Sequence, residues 1–222
     1  MRFLRDRAPT AKALFVLGDL FEYWIGDDGL DLPFNREIAT AFHVLADRGV
    51  RLSFMHGNRD FLIGTRFARE SGMQLLSDPT LFSLYGARTL LMHGDTLCSD
   101  DVEYQKFRAM VRDPAWQRAF LAKPMATRAR MAQDLRGKSE QAKQVKDMAI
   151  MDVAPATVED VLRSHDYPRL IHGHTHRPAR HTHVVDGRQC ERWVLADWYE
   201  QGSYLQCDAA GCRAVPILES SA

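Results

Sequence analysis

The chain has 222 residues, 45% of them hydrophobic and 26% charged, with a formal net charge of zero. These values suit one globular domain with a sizeable core and room for one insertion, and the neutral balance gives no global signature of nucleic-acid binding. No apolar run approaches the roughly 18–20 residues of a membrane span, so the chain reads as soluble and any membrane contact is expected to be peripheral. Charge is uneven: residues 103–146 carry eleven Lys and Arg against four acids, +7, which leaves −7 for the remainder. Cys98, Cys190, Cys207 and Cys212 show no Cys-x-x-Cys spacing and no secretory leader is legible, so reduced thiols are expected rather than a disulfide framework.

In chain order, residues 13–17 read as a buried strand ending at Gly18-Asp19. Residues 34–48 place Ile38, Phe42 and Leu45 on one face before Gly49, an amphipathic helix. A strand over 50–55 leads into His56-Gly57-Asn58-Arg59-Asp60, and Phe61 to Ser71 reads as helix, stopped by Gly72. Strand-like runs at 80–85 and 88–92 flank Gly86 and end at His93-Gly94-Asp95. From 100 to 165 the pattern is helical throughout. Leu170-Ile171 is a short strand before His172-Gly173-His174-Thr175-His176, and the last forty residues are β-rich, with hairpin turns at Asp186-Gly187 and around Ala209-Gly211. Strand–helix alternation, a helical insertion and a β-rich tail predict an α/β sandwich carrying a helical cap.

Four apolar runs thus end in Gly next to Asp, Asn or His. Gly tolerates backbone angles that other residues resist, so a side chain beside it can project from the C-terminal edge of a sheet. Carboxylate, amide and imidazole on four such edges are what a two-metal hydrolytic site requires. Singly, each residue has a plainer alternative: Asp19 and Asn58 as turn residues, Arg59 as a solvated charge, and His174 with His176 as a histidine-rich loop. Arg59 otherwise offers a fork for phosphate oxygens. Asp95 is expected to orient a neighbouring histidine. His56 and His172 are expected to point into sheet packing, and His43, His165, His181 and His183 to be structural or surface residues. There is no Gly-x-Ser-x-Gly elbow and no P-loop.

Gly18-Asp19, Gly57-Asn58, His93-Gly94-Asp95 and Gly173-His174-Thr175-His176 resemble the ordered blocks of the calcineurin-like metallophosphoesterase superfamily. The fuller strings LGDLFEYWIGDD (17–28), HGNRDFLIG (56–64), LMHGDTLCSDDVEYQKFR (91–108), AIMDV (149–153) and IHGHTHRP (171–178) are similar to a narrower family within it, the UDP-2,3-diacylglucosamine diphosphatases of lipid A and lipopolysaccharide biosynthesis. That similarity runs over nearly all of the chain from residue 13 onward. It implies a four-layer α/β/β/α sandwich, one domain over 1–222, with a lipid-binding helical cap over about 100–165. The implied reaction is hydrolysis of the pyrophosphate of UDP-2,3-diacylglucosamine to UMP and 2,3-diacylglucosamine 1-phosphate by a metal-activated water, with no catalytic side chain identified. The implied cofactor is a Mn2+ pair held by Asp19, Asn58, His93, His174 and His176. Asn58, Arg59, Asp101, Ser139, Lys143, Lys146 and His174 would contact substrate, and Trp116, Phe120, Leu121 and Met125 would supply apolar surface for acyl chains. Expected partners are this substrate and an anionic membrane surface, at the cytoplasmic face of the inner membrane, with no nucleic acid.

One departure from the superfamily pattern carries an expectation of its own. The superfamily opens on a strand ending in Asp-x-His, whereas residues 1–12 read as the end of a helix and Asp6 is no substitute. One metal therefore keeps Asp19, Asn58, His93 and His174, and the other keeps Asp19 and His176. The chain is expected to be incomplete at this end and impaired in catalysis. A different metallophosphoesterase, or a binding scaffold without activity, is the alternative.

Overall fold

The computed structural model describes residues 1–145, 152–198 and 202–217, without the side chains of 138–145. The chain forms an α/β fold of two compact units, Met1–Leu76 with Asp101–Met151, and Ser77–Asp100 with Asp152–Ala222.

In the first unit a short helix α1 (Arg2–Asp6) and a 3-10 turn (Ala8–Thr10) precede β1 (Ala13–Val16). Asp6 is exposed and pairs with its neighbour Arg5 at 2.7 Å, as befits a solvated carboxylate rather than a ligand. Helix α2 (Pro33–Asp47) carries the chain from β1 to β2 (Arg51–Met55), and α3 (Thr65–Ser71) from β2 to β3 (Met73–Leu76). The three strands are parallel, in the order β1-β2-β3, with Leu14 opposite Leu52 and Phe54 opposite Leu75. Helix crossovers are what parallel neighbours need. Ala39, Phe42 and Leu45 of α2 are buried, a stripe at helical spacing, and Gly72 ends α3 in the left-handed conformation. Phe21, Trp24, Phe54 and Phe67 form an aromatic core with ring centroids 4.7–6.4 Å apart. Helices α4 (Val102–Arg112), α5 (Pro114–Leu121) and α6 (Met125–Val145) complete this unit.

Two details depart from the sequence expectation. Strand β3 was not foreseen, because Met-Gln-Leu-Leu is too short an apolar run to separate from loop by periodicity. Helix α3 begins at Thr65 rather than near Phe61. Residues 57–64 instead form a turn, and the carboxylate of Asp27 accepts from the N–H groups of Gly64, Arg66 and Phe67 at 2.9, 2.8 and 3.1 Å, capping the helix from a distant loop.

In the second unit, β4 (Thr80–Leu84), β5 (Ala87–Met92), β6 (Arg169–His172), β8 (Arg188–Val194) and β7 (Ala179–Val185) make one five-stranded sheet in that order. Strands β5, β6 and β8 run parallel, flanked by antiparallel β4 and β7. The ends of β5, β6 and β8 therefore open on one edge. Helix α7 (Pro155–Ser164) packs Val158 and Leu162 into a core with Leu90, Met92, Leu97 and Leu170. A hairpin of β9 (Ser203–Asp208) and β10 (Gly211–Pro216) places Cys207 opposite Cys212, and the two form a disulfide, Cα atoms 4.1 Å apart. This corrects the expectation of four reduced thiols: cross-strand register, which spacing alone does not reveal, brings this pair together. Cys98 and Cys190 are buried and lie outside this disulfide. Among the described residues no helix is long and apolar enough to cross a membrane.

Candidate metal centre

Each unit presents donors on the C-terminal edge of parallel strands, where open α/β sheets hold their ligands. In the first unit β1 runs into Leu17, Gly18 (φ 88°) and Asp19 (φ 55°). The loop after β2 comes so close that a Cβ on Gly57 would stand 2.2 Å from Asp19 Oδ1 and 2.4 Å from its amide nitrogen. Only glycine fits there. Asp19 Oδ1 accepts from Arg59 N–H at 3.0 Å, and Arg59 Nε lies 3.5 Å from Oδ2. Asn58 is half-buried on the same loop.

Asp60 locks these two loops together. It is fully buried and accepts from the N–H groups of Asp19 (3.2 Å), Leu20 (2.7 Å) and Gly57 (2.9 Å). Sequence reasoning assigned it no role, although an acid three residues after a turn glycine is a recognisable local acceptor. Glu22 receives Arg59 Nη1 at 2.7 Å and Arg136 Nη1 of α6 at 2.8 Å, which fastens the phosphate-fork candidate to the helical insertion.

In the second unit β5 ends at His93, 1% exposed, and Gly94. His93 N–H donates to Asp78 at 3.2 Å, and its carbonyl accepts from Gly173 N–H at 2.9 Å, tying the two histidine turns. The rings of His93 and His174 meet edge to face with centroids 5.1 Å apart, and one ring nitrogen of each lies within 4.8 Å of the other. His174 (φ 65°) and His176 (φ 54°) both occupy the left-handed region. Among the described residues, three of the seven non-glycine residues there are thus candidate ligands. Such backbone costs on the order of 1–3 kcal/mol per residue and concentrates where a ligand is clamped.

His176 Nδ1 lies 3.4 Å from Asp197 Oδ2, just past β8. A carboxylate behind a ligand histidine fixes its orientation. Asp197 escaped the sequence reading because no glycine follows its strand. Asp95 is buried and opens a 3-10 turn, Asp95–Leu97. The donor chemistry suits divalent ions: hard carboxylate and amide oxygens from Asp19 and Asn58, borderline imidazoles from His93, His174 and His176.

The expected packing histidines are where they belong. His56 Nε2 bonds to the Ile63 carbonyl at 2.7 Å, and burial lowers its pKa. His172 is wholly buried, and burial, opposed by a bond to the Gly173 carbonyl, pushes its pKa down to about 3 from 6.5. Unfolded chain takes up a proton there below pH 6.5, which folded chain refuses until about pH 3. The stability His172 contributes is therefore complete above the unfolded pKa and is lost as pH falls toward the folded one, by up to about 1.4 kcal/mol per pH unit. Urea unfolding at pH 7.5 and pH 5 is expected to show a shallower pH dependence for His172→Asn than for the unaltered chain. Equal slopes would contradict this.

The remaining candidates lie apart from these edges in sequence. Asp101 caps α4, accepting from Tyr104 N–H at 3.1 Å. Ser139 and Lys143 fall on α6 with side chains outside the described residues, and Lys146 lies outside them altogether. Of the apolar insertion residues, Phe120 is buried and stacks on Trp116 at 5.0 Å, whereas Leu121 and Met125 are exposed. Met125 instead helps line an open apolar crevice with Tyr23, Trp24, Ile25, Leu32 and Ala129. Arg128, 3% exposed, anchors α6 beside it by pairing with Asp28 and the Ile25 carbonyl.

Residues 1–178 match the family model of the calcineurin-like phosphoesterases. The chain belongs to that family. Within it, a protein of Aromatoleum aromaticum called UDP-2,3-diacylglucosamine hydrolase is 54% identical, the match covering 94% of this chain and 85% of that one. Proteins of the same name from Xanthomonas axonopodis pv. citri and Aeromonas hydrophila are 50% and 51% identical, covering 95% and 93% of this chain and 88% and 86% of theirs.

Proposed function

We propose that this chain hydrolyses the pyrophosphate of UDP-2,3-diacylglucosamine, giving UMP and 2,3-diacylglucosamine 1-phosphate, with manganese as cofactor. The observation that carries the reading is the pair of donor edges, Asp19 and Asn58 in one unit and His93, His174 and His176 in the other, in a chain about half identical to hydrolases of that name. A divalent pair, when bound, supplies an activated water and neutralises charge on the oxygens flanking phosphorus. In this reading Asp19, Asn58, His93 and His174 would hold one ion, and Asp19 with His176, oriented by Asp197, would serve the other. Four of the named donors serve the first position, so the first ion binds tightly.

Arg59 binds phosphate oxygens through its planar fork, and Asp60 keeps its loop against Asp19 so that both face the same group. Asp101, Ser139, Lys143 and Lys146 complete the substrate contacts. The apolar crevice beside α6 accepts acyl chain, and the basic stretch 103–146 meets the anionic cytoplasmic face of the inner membrane. A panel of UDP-2,3-diacylglucosamine and a soluble aryl phosphate tests the reading. Manganese-dependent hydrolysis of the first in preference to the second is expected; preference for the aryl phosphate would indicate another phosphoesterase activity.

A further inference from the structure

The reading above leaves one buried cation of the second unit without a role. Arg192 of β8 is only 6% exposed, and its partners are imidazoles: Nε donates to His183 Nε2 and Nη1 to His172 Nε2, each at 3.1 Å. Asp152, the carboxylate whose field it feels, is engaged by Arg177. A guanidinium buried among neutral acceptors is less stabilising than an apolar side chain of similar size, so packing alone does not account for it.

Its geometry does. Arginine can only donate, so His172 Nε2 must be the bare, accepting nitrogen. His172 Nδ1, 2.9 Å from the Gly173 carbonyl, must then carry the hydrogen. The ring so fixed is a wedge between the two histidine turns. A Cβ on Gly94 would stand 2.7 Å from His172 Nδ1 and 3.2 Å from the Gly173 oxygen. Gly94 follows His93, Gly173 precedes His174, and Gly173 N–H bonds to the His93 carbonyl at 2.9 Å. Whatever fixes the His172 ring therefore fixes both ligand-bearing turns.

We propose that Arg192 is a positioning residue for the metal-binding histidines, holding the His93-Gly94 and Gly173-His174 turns in register through the tautomer and orientation of His172. This rests on the metal reading of His93 and His174 given above. Lysine cannot replace Arg192 fully, because one ammonium does not reproduce a planar fork aimed at two imidazoles.

The test compares the unaltered chain with Arg192→Met and Arg192→Lys. Three quantities are measured: the His172 tautomer by ring-nitrogen NMR of 15N-histidine-labelled protein, manganese affinity by titration, and thermal unfolding. In the unaltered chain His172 is expected to carry its hydrogen on Nδ1. In Arg192→Met that signature should change and manganese affinity fall about tenfold, the lower end for residues that orient ligands. Arg192→Lys should be intermediate. A folded Arg192→Met chain with unchanged tautomer or unchanged manganese affinity would overturn the proposal, even if its melting temperature fell, since that is the mark of packing alone. If Arg192→Met does not fold, unaltered affinity and tautomer in Arg192→Lys overturn it equally. If the unaltered chain binds no manganese, the metal reading fails, and the His172 tautomer alone decides whether Arg192 sets the ring.

Discussion

Replacing His174 by alanine is expected to remove tight manganese binding, weakening it by at least about 100-fold, while His176→Ala leaves the tight ion in place and loosens the other. In the proposed reading His174 stands in the four-donor set, and its ring meets His93 edge to face with centroids 5.1 Å apart. Loss of a residue that merely orients a ligand costs roughly 10–100-fold in affinity, so loss of a ligand should exceed that. In the proposed reading His176 serves the other position, and Asp197 Oδ2 lies 3.4 Å from its Nδ1. Titration of metal-free protein with manganese, following bound ion directly, checks both variants. A His174→Ala chain that keeps its tight ion, or a His176→Ala chain that loses it, would show that the ligand assignment is wrong.

Asp60→Ala is expected to be the most damaging substitution for stability. The carboxylate accepts three backbone N–H groups from two loops, at 2.7–3.2 Å, at a site with no exposure. Each buried donor left without an acceptor costs about 1–3 kcal/mol, and water entering the cavity recovers part of that. A net loss on the order of 4 kcal/mol is a large share of a domain's whole stability. Asp60→Asn should lose less, since the amide oxygen still accepts. Urea unfolding followed by tryptophan fluorescence gives the comparison. A loss under about 1 kcal/mol for Asp60→Ala would mean that the loops hold their shape without this carboxylate.

The candidate donors were legible in the sequence through glycine at a strand end. Gly18, Gly57 and Gly94 mark places where backbone angle or close approach excludes other residues, and each stands beside a donor; Gly173 precedes His174 without that constraint, its nearest contact for a Cβ being the His93 carbonyl at 3.7 Å. The helical pattern of 102–145 and the hairpin at Asp186-Gly187 were legible through periodicity and turn chemistry. What escaped was held by partners distant in sequence. The Asp27 cap of α3 spans nearly forty residues, the Asp60 lock spans forty, and the His176–Asp197 pair joins different strand ends. A carboxylate without a neighbouring glycine gives no local sign of such a task. The Cys207–Cys212 pair likewise depends on hairpin register, and β3 on the sheet that receives it.

Manganese-dependent release of UMP from UDP-2,3-diacylglucosamine tests the central claim most directly, run beside the Aromatoleum aromaticum relative and the His174→Ala variant. UMP is expected to form from this substrate only when manganese is present, as two-metal displacement at phosphorus requires. Activity should vanish in His174→Ala. No UMP above the enzyme-free blank at any manganese concentration, or equal release by His174→Ala, would contradict the account.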